Sequence, residues 1–196
     1  MLYHIVRLLA VILIPAVMQM NLVGFVSTSP EKAAEDFMNG LKTGNRKVIS
    51  RHIDNEYVNF LINAEGGGET AERINEALFR NFTYKIEKIG TKNDVAVARI
   101  LVENSDFSNV ESDYEKKAYK YITDNLYNDK TSDKKTLSGK CLELYINQIE
   151  KAADKGADCE NVVYVPMIDD GYYGWNIVVT DELMHDIMGN FELPAE

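Results

Sequence analysis

Cysteine and proline are scarce, with two and four residues in a chain of 196, and glycine numbers twelve. Two cysteines cannot build a disulfide scaffold, and this glycine and proline content excludes a collagen-like or low-complexity chain. Positive charge is in deficit: 21 Lys and Arg against 31 Asp and Glu leave a formal charge of −10. Phosphate backbones and anionic lipid surfaces repel such a chain, so no nucleic-acid partner is expected. Catalytic signatures are missing too. There is no HExxH, no CxxC and no nucleophile elbow. Gly66-Gly67-Gly68 lacks the Lys-Ser/Thr of a phosphate loop, and Asp169-Asp170-Gly171 lacks the further ligands of a calcium loop and reads as a hairpin turn. The expectation is no metal and no cofactor. What is present is an ordinary globular composition, 45% hydrophobic and 27% charged. It can bury enough apolar surface to offset chain entropy, and its length is that of one domain.

The first 26 residues contain no Asp or Glu and one Lys or Arg, Arg7. An apolar run, Leu8 to Met18, follows, and the small residues Ser27, Thr28 and Ser29 come after it. Charge, apolar run and small residues in that order are the layout of a secretory signal. The stretch from Leu8 to Val26 is also long enough to cross a bilayer as a retained anchor. Residues 1–28 are therefore read as a signal peptide or membrane anchor. Both readings place residues 29–196 outside the cytoplasm, secreted or anchored by residues 8–26, and membrane contact is expected through this segment alone. Leu22-Val23-Gly24 is what precedes the lipid-modified Cys of a bacterial lipoprotein, but here Phe25 follows and has no thiol to modify.

In the remaining chain Ser29-Pro30-Glu31 starts a helix: Ser caps, Pro occupies the first turn and Glu meets the positive dipole end. Ala34, Phe37, Met38 and Leu41 recur at helical spacing until Gly44-Asn45. A short helix with Val48, Ile49 and His52 follows. Asp54 is positioned to cap a segment carrying Tyr57, Val58, Leu61 and Ile62. Another helix is predicted from about Glu69 to Arg80. The period then becomes two: Phe82, Tyr84 and Ile86 form one strand, Gly90 to Asn93 a turn, and Val95 to Val102 a second strand, apolar on both faces except at Arg99. Residues 105–155 read as a helical insertion, with a charged loop at Asn128 to Lys135 and a helix from Ser138 to Ala153. Val162 to Ile168 is a strand whose Pro166 suggests an edge or a bulge. Tyr173, Trp175, Ile177 and Val179 alternate along a last strand, and Asp181 to Met188 closes the chain as a helix.

Two stretches, Ser29-Pro30-Glu31-Lys32-Ala33-Ala34-Glu35-Asp36-Phe37 and Asp170-Gly171-Tyr172-Tyr173-Gly174-Trp175-Asn176-Ile177 with Glu182-Leu183, carry a likeness. In these, and in its order of helices and hairpins, the chain resembles small secreted bacterial members of the nuclear-transport-factor-two-like, or cystatin-like, superfamily. The resemblance implies an α+β fold over residues 29–196, with N-terminal helices packed in a curved antiparallel sheet like the filling of a cone. Trp175 would fill that cone. The resemblance also implies that the outer sheet face forms a homodimer.

Enzymes of that superfamily work inside the cone with a carboxylate or His base and a Tyr or Asp donor. The weak candidate for the base is His52, whose favoured reading is a partly buried structural His hydrogen-bonded near Asp54. His185, next to Asp186, reads as a helix-end residue. Arg99 faces the interior and binds an anion, snorkels to the rim, or pairs with Glu103. Tyr57, Tyr84, Tyr173 and Trp175 line a ligand pocket or belong to the core. Three functions are carried forward: a non-catalytic extracytoplasmic domain binding a small ligand or an envelope protein; a small isomerase- or dehydratase-like enzyme; and a structural dimerisation module, favoured by a filled apolar cone. Finally, an oxidising compartment and an even count suggest a Cys141–Cys159 disulfide. Against it, the helix from Cys141 to Ala153 advances about 18 Å, and about six extended residues return barely 20 Å. Two free thiols are expected.

Overall fold

The computed structural model describes residues 29–52, 54–63, 68–125, 134–172 and 174–194. The expected leader, Gly66-Gly67, most of the charged loop and Tyr173 lie outside the described residues. The fold is α+β. Helix α1 (Pro30–Lys42) is capped as its sequence demands, with Lys32 N–H donating to Ser29 Oγ at 3.2 Å. A four-residue helix α2 (Arg46–Ile49) and a 3-10 turn (Ser50–His52) follow. The two helices approach closely at Gly40, where any Cβ would sit 2.6 Å from a Val48 methyl. Helix α3 (Glu56–Asn63) is capped by Asn55, which accepts from Val58 N–H at 3.1 Å; Asp54, the expected cap, lies one residue too early. Helix α4 spans Gly68–Phe79.

Strands β1 (Thr83–Lys92) and β2 (Val95–Asn104) form an antiparallel hairpin with a bulge between Ile86 and Lys88. The strand runs through Gly90, where a turn was expected. The reversal falls on Asn93-Asp94, with Asn93 at φ 53°, a conformation Asn tolerates better than most residues. Along β2, Ala96, Ala98, Ile100, Val102 and Asn104 point inward and are at most 1% exposed, while Val95, Val97, Arg99, Leu101 and Glu103 alternate outward.

The helical insertion is real. Helices α5 (Val110–Asp124) and α6 (Lys134–Ala153, starting four residues before Ser138) pack on each other, and they carry the chain from β2 to its antiparallel neighbour β3 (Cys159–Asp169). Arg73 of α4 holds α6 through Glu143 (3.2 Å) and Glu150 (2.9 Å). The last strand, β4 (Trp175–Ile177), is shorter than its sequence period suggested and pairs only with residues 167–169 of β3. Pro166 accepts from Val178 N–H at 2.9 Å but has no N–H to return, so the β3–β4 ladder stops beside it. The edge position expected for it is not observed: β3 lies between β2 and β4. Helix α7 (Asp181–Ile187) is capped by Thr180 and packs against β3. Sheet order is β1-β2-β3-β4.

The inner sheet face is apolar and covered. Ile100, Val165 and Met167 meet Phe37, Met38 and Leu41 of α1 in one core, all at most 2% exposed. Behind it, Phe191 is fully buried against Phe60, Phe107 and Tyr145, with ring centroids at 5.5, 6.3 and 6.5 Å. Gly189 makes that return possible: it sits at φ 64°, and a Cβ there would fall 1.9 Å from the Ser105 carbonyl oxygen. Trp175 lies on the inner side but half-buried at the sheet end, so it borders the core and does not fill it. Cys141 and Cys159 are free thiols, as the reach argument required. Among the described residues no helix is long and apolar enough to cross a membrane.

This packing makes Phe191→Ala the more damaging of two aromatic truncations. It should cost about 3–5 kcal/mol, as buried Phe-to-Ala changes do, and clearly more than Trp175→Ala. Urea unfolding of both variants checks the order.

Candidate functional site

The sequence candidates do not converge. Tyr84 shares a row of the sheet with Val102 and Asn161, whereas Trp175 pairs with Asp169. Those rows are eight residues apart along β3, about 26 Å at 3.3 Å per residue. Tyr57 is buried in α3, and burial pushes its phenol above the usual range. Arg99 does not enter the interior. It stands on the outer face, where its guanidinium pairs with Glu87, the bulge residue, and not with Glu103, which accepts from Thr83 Oγ1. Sequence alone could not assign that face, because β2 is apolar on both sides.

His52 lies in the wall of a shallow cleft of about 490 Å³ that also exposes Asp54, Asn55, Thr180 and Asp181. Its ring stands edge-on to Phe37 at 5.5 Å. Neither ring nitrogen bonds to a described residue, Asp54 included. Asp181 is engaged by Asn55 Nδ2 at 2.7 Å. Burial first, and the Arg51 charge second, lower the imidazole pKa to about 4. A base that weak is poorly matched to proton abstraction near neutral pH. His185 lies at the chain's end of α7, with Nδ1 3.1 Å from Asp186. Among the described residues no group of three His, Cys, Asp or Glu is arranged to hold a metal ion.

The larger unexplained feature is the outer face of β2 and β3. Cross-strand pairs Val95–Ile168, Val97–Pro166, Arg99–Tyr164 and Leu101–Val162 form one stripe. In it Val95, Val97, Val162, Tyr164 and Ile168 are 38–61% exposed. The helices cover the opposite face. One end of the stripe is acidic, and the lysines of β1 run beside it to the other end. At one end Glu103 and Glu160 are direct cross-strand neighbours, a like-charge pairing that destabilises a sheet. Lys85, Lys88 and Lys92 of β1 lie beside Leu101, Arg99 and Val95, so Lys92 stands in the row at the other end and Lys88 in the middle row. The edge strand β1 itself carries Lys85, Lys88 and Lys92 and a bulge, features that discourage edge-to-edge pairing. The sequence did hold this signal, in the exposed half of an alternating strand that is apolar on both sides.

No protein-family model matches the chain, and no curated protein matches it. Among solved structures it is similar to a Bacillus subtilis protein described as a lipoprotein, at 19% identity and a TM-score of 0.45. The match covers 85% of this chain and 48% of that one, so the chain spans about half the length of that structure.

The His52 environment makes stability pH-dependent with a definite sign. The ring titrates near 4 in the folded chain and near 6.5 when unfolded. Between these values the unfolded chain binds the additional proton, so stability falls as pH drops from about 6.5 to about 4 and gains nothing further below. For a half-buried ring the loss should be about 1–2 kcal/mol, less than the full shift converts to. Urea unfolding at pH 7 and pH 4.5 should show His52→Gln losing less than the wild type by that amount.

Proposed function

We propose that this chain is a non-catalytic extracytoplasmic module of the nuclear-transport-factor-two-like type that pairs with a second copy through the outer face of its sheet. The export reading rests on the acid-free apolar leader of residues 1–28. Element order supports the superfamily: helices, a hairpin, a helical insertion and a second, shorter hairpin. The observation that carries the function is the exposed apolar stripe on β2 and β3, closed by two glutamates at one end and with Lys92 at the other. In a two-fold face-to-face pair a patch meets itself reversed. The Glu103/Glu160 end of one copy then meets the Lys92 end of the other. The apolar residues between them are buried, and the repulsion between the two glutamates is relieved.

A filled interior also favours an interaction module over an enzyme. The inner face presents Ala, Ile, Val and Met to the helices, and the candidate base His52 lies outside it with a depressed pKa.

Sedimentation equilibrium of the exported chain should find a dimer. Val97→Lys places a charge in the middle of the stripe at a position already exposed. It should yield a monomer, with stability at low concentration changed by no more than about 0.5 kcal/mol. A wild type still monomeric at about 100 μM, a concentration that detects even weak pairing, would overturn the proposal.

A further inference from the structure

The helical side of the molecule carries a separate cleft of about 560 Å³, between the end of α1, helix α2, the end of α3 and one face of α4. That is the size of a small-molecule site. Its apolar part is formed by Ile49, Leu61 and Phe79, all nearly buried, with Ile62 beside them.

Asn75 stands in the α4 wall and is fixed in orientation. Its Nδ2 donates to the carbonyl oxygens of Leu61 and Ala71, each at 2.8 Å. Carbonyls only accept, so the amide cannot be reversed, and Oδ1 must face the other way. That oxygen is buried without a donor and has no surface open to the cleft, so Asn75 ties α4 to α3 and shapes the wall.

The charges around it are sorted. Glu72 and Glu76 lie on the same face of α4 as Asn75, at helical spacing, so this wall offers acceptors only. Lys42 and Arg46 supply cations from the α1–α2 side. Arg80, the other cation of the cleft, is committed to Asp154 at 2.5 Å. None of Glu72, Glu76, Lys42 and Arg46 has an ion-pair partner among the described residues, although all four line one cleft.

We infer that this cleft binds a zwitterion with an apolar side chain: a free amino acid or a short peptide with both termini free. The ammonium lies between Glu72 and Glu76, whose carboxylates accept from it. The carboxylate meets Lys42 and Arg46. The side chain covers Ile49, Leu61, Ile62 and Phe79. This site is remote in kind from the outer sheet face and does not depend on pairing of the chain.

Calorimetric titration of the full exported chain tests it, with L-leucine and the dipeptide Leu-Leu as the two sources of the same chemistry. One of them should bind. N-acetyl-leucine, which lacks the ammonium, and leucinamide, which lacks the carboxylate, should each bind at least about tenfold more weakly, since each loses a charge-assisted hydrogen bond. Glu76→Gln and Arg46→Gln, both at exposed positions, should each weaken the zwitterion by a similar factor and leave unfolding and sedimentation unchanged. The inference is overturned if neither zwitterion binds at about 10 mM, beyond the millimolar range where affinity is only about 4 kcal/mol. It is equally overturned if a capped control binds as well as its parent, or if both variants bind like the wild type.

Discussion

One buried amide organises the junction of sheet and helices. Asn104, the last residue of β2, is 1% exposed. Its Nδ2 donates to the carbonyl oxygens of Leu78, near the end of α4, and of Ile187, the end of α7, at 3.1 and 3.3 Å. Its Oδ1 accepts from Ser105 N–H at 2.8 Å. Helix ends leave carbonyls without intrahelical partners, and burying them unpaired is costly. A single side chain therefore lets two helices end inside the core against the same strand. The next residues complete the joint: Asn81 Nδ2 donates to Ser105 Oγ and to Ala153 O at the end of α6, and Phe107 N–H donates to Gly189 O.

From that joint the division of the molecule into two sides follows. The ends of α4, α6 and α7 gather at one end of β2, and the helical layer lies over the face carrying Ala96, Ala98, Ile100 and Val102. The opposite face is left to solvent, and the surface available for a partner is the Val95–Leu101 side by default. The interior closes around Phe37 and Phe191, and Asn104 is the fully buried polar side chain that the described strands bring to it. The cleft on the helical side arises differently, where the ends of α1 and α3 and the short α2 meet one face of α4.

Most local structure was legible because local chemistry decides it. Ser29-Pro30-Glu31 marks a helix start, and the period-two run in β2 marks a strand, whatever surrounds them. Three misreadings share a cause. Gly90 resembles a turn, yet an exposed edge strand tolerates it, and Asn93 takes the left-handed position instead. Arg99 was open to either face because its strand is apolar on both. Trp175 was expected to plug the interior, but the last strand ends after Ile177, and Phe191, beyond the last helix, takes the buried place. Asn104, Asn75 and the unpaired charges of the helical cleft gave no sequence signal. Their roles depend on which carbonyls and side chains distant segments bring beside them.

The central claim is that two copies meet face to face with their charged ends reversed, and complementary charge swaps test it directly. Lys88→Glu with Lys92→Glu turns the middle and far rows beside the stripe acidic; Glu103→Lys with Glu160→Lys makes both ends basic. The account predicts that each double variant sediments as a monomer alone and that an equimolar mixture forms a heterodimer, more strongly at low salt than at high. A mixture that stays monomeric while the wild type pairs, or double variants that pair as well as the wild type, would contradict it.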